Sequence, residues 1–351
     1  MPTPELRVEV TRGGLPESVH RVAAAIMDSE GRLIASSGNP DLITWWRSGA
    51  KPFQALPLVQ DGAVDRFRIT AAELALACAS HSSEARHLEV VTGLMAKIGI
   101  TDRDLACGPH PPLSPAVAQA AVRGAVTLTP RWSNCSGKHA GMLALAKHHG
   151  WPLAGYQEAG HPVQQRILEE VTRWSGVAPA GIALAPDGCT AVCFGLPLRA
   201  MAVAYARLIS SPDLAARRIV SAMASHPFLL AGTGRLCTDL IMAAQGRIIA
   251  KIGAEGVYSA GLPGLGLGIA LKVEDGDMRA SGVALLEVLK QVLRRSVERS
   301  GGQAVELAEL LALLELPWRD LAGHGHPEIR NSRGIVTGEL RPAGLLRFYD
   351  G

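Results

Sequence analysis

Apolar residues in the first forty positions of the chain alternate with polar ones or occur in short runs, as they do in β-strands. This pattern predicts strands over Leu6–Thr11 and Val19–Asp28, and a turn at Asp28–Gly31 leads into a third strand over Arg32–Ser36. Strands that follow one another through short turns pair antiparallel. The start of the chain therefore differs from the strand–helix alternation of dinucleotide-binding domains.

From about residue 50 the apolar residues are spaced three and four positions apart, which is the spacing of amphipathic helices. The pattern predicts helices over Phe53–Gln60, Ala71–Ala79, Glu84–Ile98, Pro115–Arg123, Gly137–His149 and Pro162–Trp174. Two short strands, Ile182–Leu184 and Val192–Leu196, are predicted on either side of a loop at 185–189.

The remainder of the chain mixes both patterns. Helices are predicted over Arg199–Ile209, Pro212–Ala224, Arg235–Ala244, Ser281–Ser300 and Val305–Leu314, and strands over Arg247–Ile252, Gly256–Ala260, Gly266–Val273 and Gly334–Leu340. Strands at both ends with helices between them favour an α+β fold, in which N- and C-terminal segments share one antiparallel sheet. Because no stretch has linker composition and no repeat is visible, we expect a single domain over 1–351 with a helical subdomain around 53–180.

Composition narrows the function classes. With 48% apolar residues in 351, the chain can bury a large core, which excludes general disorder. A net charge of +3, no basic block and only 4% aromatic residues argue against nucleic acid as a partner. No apolar run is long enough for a membrane span, and the N-terminus lacks the pattern of a signal peptide, so we expect a cytoplasmic protein. Its six cysteines are then expected to be buried or to act as ligands rather than to form a disulfide framework.

The first segment with chemical content is Arg47–Lys51, in which Ser48 and Lys51 form a Ser-x-x-Lys pair. At the start of a helix this spacing places both side chains on one face, one turn apart. A serine needs an adjacent base to become a nucleophile, and a desolvated lysine can be that base. The alternative is that Ser48 only caps the helix and that Lys51 is a solvated lysine of its first turn.

Two further segments bear on this choice. A hydroxyl cluster around Ser80 ends an apolar helix, and Lys251 closes an apolar strand just before Gly253. Ser-x-x-Lys, a second serine and Lys-x-Gly occur in the same order in penicillin-recognising serine enzymes, although Ser-Asp-Asn and Lys-Thr-Gly are absent here. Each part also has an ordinary explanation, since Ser80 or Ser83 could cap the next helix and a lysine often ends a strand.

A second cluster opens the helix that ends at His149. Cys135 and Lys138 lie at its start, where Asn134 or Ser136 could be the cap, and Cys189 lies in the loop between the two short strands. Thiolates are soft ligands that suit zinc, but the spacing matches no common zinc motif, and loop cysteines are often inert.

The sequence resembles the thermolabile, Rhizobium-type (class 3) L-asparaginases. The resemblance covers about residues 45 to 280, in the expected order, and is carried by the segments RSGAKPFQALPLV (47–59), ACASHSSEARH (77–87), NCSGKHAGML (134–143), PDGCTAVCFGLPL (186–198), KIGAEGVYSAG (251–261) and GLGIALKVEDGD (266–277).

The resemblance implies a β-lactamase/glutaminase-like serine-enzyme fold, a homodimer, and conversion of L-asparagine and water to L-aspartate and ammonia. It implies two Ser–Lys tandems, Ser48 with Lys51 and Ser80 with Lys251. It also implies one zinc ion per chain, structural or substrate-positioning, held by Cys135, Lys138 and Cys189. His139 and Asp187 would lie near that ion.

In the mechanism that we expect, Ser48 attacks the side-chain amide and Lys51 takes its proton, although the two serines could exchange roles. For the α-groups of the substrate, Arg47 is a candidate for the carboxylate, and Asp187 or Glu255 for the ammonium. Alternative functions are an L-glutaminase, another Ser–Lys amidase or peptidase on the same fold, and a non-catalytic amino-acid-binding protein.

Overall fold

The computed structural model describes residues 5–301, 303–315 and 319–349. The chain divides into two compact units. The sheet unit comprises Met1–Thr44, Pro197–Arg207 and Ala243–Gly351, and the helical unit comprises Trp45–Leu196 and Leu208–Met242. None of the helices within the described ranges is long and apolar enough to cross a membrane.

The sheet unit is built on antiparallel strands from both ends of the chain. The strands are β1 (Arg7–Arg12), β2 (Leu15–Asp28), β3 (Leu33–Ser37), β7 (Ile249–Ile252), β8 (Val257–Leu262), β9 (Leu267–Val273), β10 (Glu328–Arg330), β11 (Val336–Ala343) and β12 (Arg347–Phe348). The main path of the sheet runs in the order β10-β11-β1-β2-β9-β8-β7, while β3 pairs with β2 and β12 pairs with β3. The pairing of Val8 with Pro342 confirms that N- and C-terminal segments share one antiparallel sheet.

Four helices accompany these strands: α8 (Leu198–Ser210), α12 (Met278–Arg299), α13 (Val305–Glu315) and α14 (Arg319–Gly325). Helix α12 packs along β1, β8, β9 and β11 and buries an apolar face against them. It begins three residues before the predicted Ser281, because the Asp277 side chain accepts a hydrogen bond from Arg279 N–H at 3.0 Å and caps the helix there.

The helical unit contains α1 (Lys51–Gln60), α2 (Ala63–Arg66), α3 (Ala71–Ala77), α4 (Ala85–Ile98), α5 (Pro115–Val122), α6 (Ser136–His149), α7 (Pro162–Ser175), α9 (Leu214–Ser225), α10 (Pro227–Leu230) and α11 (Leu236–Ala243). Strands β5 (Ala183–Pro186) and β6 (Val192–Pro197) form an antiparallel hairpin within it, and β4 (Ile43–Trp45) precedes it. The predicted helices are present with shifts of one or two residues at most ends. The pattern did not predict β4, β10 and β12, which have at most three residues each.

Helix α6 lies at the centre of the helical unit. It contacts α1, α3, α4 and α7, and every residue from Ser136 to Ala146 is buried. Burial of consecutive residues on all sides places this part of the helix in the core of the unit. The polar residues at its start are therefore held inside the protein, where their partners are fixed by packing.

Candidate active site

The segment before α1 is anchored by an aromatic side chain. Trp46 is fully buried and its ring lies 4.8 Å from that of Phe53, while its backbone N–H donates to Phe194 O at 2.8 Å. Arg47 follows with a φ of +52° and starts a 3-10 turn that leads directly into α1. Ser48 lies in this turn, and its carbonyl accepts a hydrogen bond from the backbone N–H of Lys51.

Lys51 is fully buried, and its Nζ lies within hydrogen-bond distance of a carbonyl, a hydroxyl and a thiol. It donates to Ala79 O, to Ser80 Oγ at 3.0 Å and to Cys135 Sγ at 3.2 Å. Within the described residues Ser48 is not a hydrogen-bond partner of Lys51 Nζ. The structure thus places Lys51 against Ser80, although the two are 29 positions apart in the chain. Ser48 is half-buried, whereas Ser80 is only 4% exposed.

The turn that carries Ser80 connects α3 to α4. The alternative explanation, that Ser80 or Ser83 caps α4, is wrong, because Glu84 is the N-cap and its backbone N–H donates to His87 Nδ1 at 3.2 Å. Ser83 has a φ of +59° and its hydroxyl donates to Trp132 O at 2.7 Å. The hydroxyl of Ser80 therefore contacts Lys51 and does not cap α4.

His81 links this turn to the start of α6. Its Nδ1 accepts from Ser83 N–H at 3.2 Å, so Nε2 carries the proton and can donate to Ser136 Oγ at 2.9 Å. Burial, reinforced by the charges of His87 and Lys51, holds the pKa of His81 well below its usual range, so the ring is neutral. In the sequence His81 is only a neighbour of the hydroxyl cluster around Ser80. Its contact with Ser136 ties the turn that carries Ser80 to the start of α6.

The start of α6 is set by close packing. Cys135 is the N-cap, without a side-chain cap, so the expectation that Asn134 or Ser136 caps the helix is wrong. A Cβ at Gly137 would clash with the carbonyl oxygen of Leu76 in α3, which makes glycine necessary at that contact. The close approach brings the end of α3 against the turn of α6 that carries Lys138.

Lys138 and two cysteines form a buried cluster. Lys138 Nζ donates to Cys189 Sγ at 2.9 Å, and the thiol of Cys135 lies beside Cys189. The hydrogen bond from Cys135 and the charge of Lys138 lower the pKa of Cys189 despite burial, so Cys189 is a thiolate. Although burial alone lowers the pKa of Lys138, the charges of Cys189, Cys135 and Asp187 raise it, and the lysine is an ammonium. The contact with Cys189 and burial raise the pKa of Cys135 well above its usual range.

His139, the next residue, is fully buried and lies against Tyr156. The Tyr156 hydroxyl accepts from Ala106 N–H at 2.9 Å and lies 2.5 Å from His139 Nδ1, to which it can donate. Nε2 of His139 makes no well-formed hydrogen bond, but it lies beside Cys189. Burial lowers the pKa of His139, and the contact with Cys189 partly opposes that effect. Tyr156 carried no signal in the sequence.

Arg47 and Asp187 meet at the loop between β5 and β6. Arg47 Nε donates to Asp187 Oδ1 at 2.8 Å, and the side chain of Asp187 is only 10% exposed. The same carboxylate accepts from Gly188 N–H at 2.8 Å and approaches Cys189 Sγ at 4.0 Å. Eight of the predicted residues thus belong to one chain of contacts: Arg47, Lys51, Ser80, Cys135, Lys138, His139, Asp187 and Cys189.

The predicted metal ligands converge, and their chemistry fits a metal ion. Cys135, Lys138 and Cys189 supply two sulfur atoms and one amine, and the incompletely satisfied Nε2 of His139 lies at their edge. Within the described ranges no three His, Cys, Asp or Glu side chains form a metal site, so any metal here would depend on the lysine. A lysine ligand must first lose its proton.

Two predicted site residues lie in the sheet unit. Lys251 is fully buried in β7, opposite Ser259 of β8, and donates to Ile252 O at 2.9 Å. Glu255 is exposed in the turn between β7 and β8, with a φ of +57°, and its carbonyl oxygen accepts from Lys272 at 2.7 Å. Their parts in a reaction stay predictions.

A family model described as L-asparaginase II matches residues 8–342. Among solved structures, one titled "Crystal structure of Mglu in its native form in the presence of 4.3M NaCl" is 17% identical and covers 87% of this chain and 88% of its own, with a TM-score of 0.33. A similarity at that score carries no argument about this chain. No curated protein gives a significant match.

Proposed function

We propose that this chain, which belongs to the L-asparaginase II family, hydrolyses L-asparagine with a Ser–Lys nucleophile. The match over nearly the whole chain confirms the resemblance to L-asparaginases and makes the chain an asparaginase-type amidohydrolase. The substrate, the mechanism and the serine-enzyme fold name are proposals. The observation that carries the mechanism is the buried Lys51, whose amine contacts Ser80 at 3.0 Å and lies one turn from Ser48.

Ser48 is the proposed nucleophile because it is the more accessible of the two serines. Its Oγ forms a bond to the side-chain amide carbon while Lys51, in its neutral form, takes the hydroxyl proton. Backbone N–H groups at the start of α1 stabilise the oxyanion. Ser80 passes the proton from Lys51 to the amide nitrogen, the C–N bond breaks and ammonia leaves. Water then hydrolyses the β-aspartyl ester and regenerates Ser48.

Lys51 has acceptors that suit this role. Ala79 O is neutral and Ser80 Oγ is a hydroxyl, while the raised pKa of Cys135 keeps that thiol protonated. No carboxylate stabilises the charged form of Lys51 by direct contact within the described residues.

A zinc ion is part of the proposal. Cys135, Lys138 and Cys189 would hold it, with His139 and Asp187 beside them. Zinc would supply a fixed positive charge at this cluster, and Ser48 supplies the nucleophile. A homodimer is likewise a proposal from the resemblance.

The test is ammonia release from L-asparagine and, separately, L-glutamine by the wild-type protein and by Ser48→Ala and Ser80→Ala. We expect release from L-asparagine, and a fall in kcat of about 1,000-fold or more in Ser48→Ala. Ser175→Ala is the matched control, because Ser175 is also buried in the helical unit but lies at the end of α7.

The other possible outcomes distinguish the roles of the two serines, the preferred substrate and the presence of catalysis. If Ser80→Ala abolishes turnover and Ser48→Ala does not, the serines exchange roles. Preference for L-glutamine would change the substrate and keep the mechanism. Near wild-type activity in both variants would contradict Ser–Lys catalysis, and no release from either amide by folded, zinc-loaded protein would favour an amino-acid-binding protein.

A further inference from the structure

The segment that joins α10 to α11 runs alongside the Ser80 turn. Ser80 N–H donates to Leu230 O at 2.9 Å, which pairs the two backbones. Thr233 then donates to the Glu84 carboxylate twice, from N–H at 2.9 Å and from its hydroxyl at 2.6 Å. Gly232 has a φ of +125°, and a Cβ there would clash with Glu84 Oε1. These contacts fix the position of the next side chain, Arg235.

Arg235 is half-buried, and its Nη1 donates to Ser82 Oγ at 3.2 Å. Within the described residues no carboxylate lies within ion-pair distance of its guanidinium group. Every other half-buried arginine of the helical unit holds a carboxylate, in the pairs Arg47–Asp187, Arg131–Asp102, Arg166–Asp61 and Arg218–Asp65. Arg235 therefore differs from these four arginines in having no carboxylate of the described residues within ion-pair distance.

The position of Arg235 relates it to the proposed reaction. Its contact, Ser82, is two residues from Ser80, and two residues of chain span at most about 7 Å. In L-asparagine the α-carboxylate and the reacting amide carbon are separated by only two carbon atoms. A carboxylate at Arg235 and an amide at the Ser48–Lys51–Ser80 group are therefore compatible with one small substrate.

We propose that Arg235 binds the α-carboxylate of the substrate and so selects amino-acid amides over simple amides. This inference rests on the proposed function and deepens it. A guanidinium group can donate two parallel hydrogen bonds to a carboxylate, and one of its nitrogen atoms is already oriented by Ser82. Arg47, the candidate from the sequence, is instead engaged by Asp187 and orients the loop that carries Cys189.

The test compares two substrates with the same amide group, L-asparagine and β-alanine amide, which lacks the α-carboxylate. We expect Arg235→Gln to raise KM for L-asparagine about 10- to 100-fold, because a hydrogen-bonded charge is lost. The kcat/KM for β-alanine amide should change less than about twofold. Arg235→Lys should give an intermediate KM, since it restores the charge but not the paired donors. Arg217→Gln is the matched control, because Arg217 is exposed in the same unit.

A calorimetric titration with L-aspartate measures the same interaction without turnover, and we expect weaker binding in Arg235→Gln by a similar factor. If the wild type hydrolyses L-asparagine and Arg235→Gln has the same KM as the wild type, the inference is overturned and the proposed function stays intact. Equal losses for both amides would also overturn it. If the wild type releases no ammonia, the proposed function fails, and L-aspartate binding that depends on Arg235 would still support the inference. No binding by the wild type would overturn both.

Discussion

Two buried lysines of the helical unit occupy similar positions and have different surroundings. Lys51 is the first residue of α1 and Lys138 the third residue of α6, and both are almost completely buried. Helix starts carry a partial positive charge, so neither position favours a cation. Lys51 nevertheless contacts a carbonyl, a hydroxyl and a protonated thiol, whereas Lys138 contacts a thiolate.

The two lysines therefore differ in their partners rather than in their burial or their position in a helix. At Lys138 the charge of Cys189 offsets the effect of desolvation on the pKa and stabilises the ammonium form. The partners of Lys51 provide hydrogen bonds without a full negative charge. Lys51 therefore contacts a serine of the proposed reaction, whereas Lys138 belongs to the sulfur cluster that is proposed to hold a metal.

The largest expected effect comes from removing each lysine in turn. Lys51→Met should lower kcat for L-asparagine about 100- to 10,000-fold, because a general base is lost. Lys138→Met should change kcat less than about tenfold and weaken zinc binding more than tenfold, since even outer-shell changes often cost 10- to 100-fold in metal affinity. Steady-state kinetics and a competitive zinc titration measure the two effects.

Melting temperatures of both variants serve as the control for folding. If Lys138→Met lost as much kcat as Lys51→Met with zinc supplied, the two lysines would share the chemistry and the distinction would fail.

The second prediction concerns zinc and pH. The raised pKa values of Lys138 and Cys135 mean that both carry protons near neutrality, while Cys189, with its lowered pKa, does not. Protons and the proposed zinc ion would compete for Lys138 Nζ and Cys135 Sγ, so zinc affinity should rise with pH. Binding should release about two protons, which corresponds to about 100-fold in apparent Kd per pH unit.

Calorimetry in buffers of different ionisation enthalpy, after removal of metal with a chelator, counts the released protons. In Lys138→Met the count should fall by about one. A pH-independent Kd would contradict proton release from both Lys138 and Cys135. A slope of about tenfold per pH unit in the wild type would mean that only one of the two gives up a proton.

The smallest expected effect tests the packing that holds Lys138 near the Ser80 turn. Gly137→Ala should destabilise the protein by about 1–3 kcal/mol, because the added Cβ clashes with Leu76 O and the helix start must shift. Denaturant unfolding measures this loss. Gly150→Ala is not an equivalent control because of its positive φ. Gly141→Ala is the better match, because it lies in the same helix and its Cβ would meet only side-chain atoms, of Leu58 at 3.0 Å and Ala77 at 3.4 Å.

A shift of α6 should weaken zinc binding more than it lowers kcat, because Lys138 belongs to that helix and Lys51 to α1. Equal stability of Gly137→Ala and the wild type would mean that the close approach to Leu76 is not required.

Much of the fold could be predicted because its elements are long and periodic. Helices such as α4 and α7 and the strands of the shared sheet follow apolar spacing that needs no tertiary information. Their ends were less certain, as the caps Glu84 and Cys135 illustrate, because capping depends on which side chain folds back. The candidate site was accessible through a resemblance. Spacing alone treats Lys138 as an ordinary lysine of a first helical turn.

By itself, the sequence determined the α+β class, the antiparallel start and the types of residue able to do chemistry, since these depend on local periodicity and side-chain identity. Only the tertiary structure decided which of them meet: Lys51 with Ser80, Lys138 with Cys189, and Arg47 with Asp187. It also decided that Arg235 has no carboxylate partner among the described residues. Contacts between residues 29 to 140 positions apart depend on how helices pack, and packing sums many weak interactions that no single segment encodes.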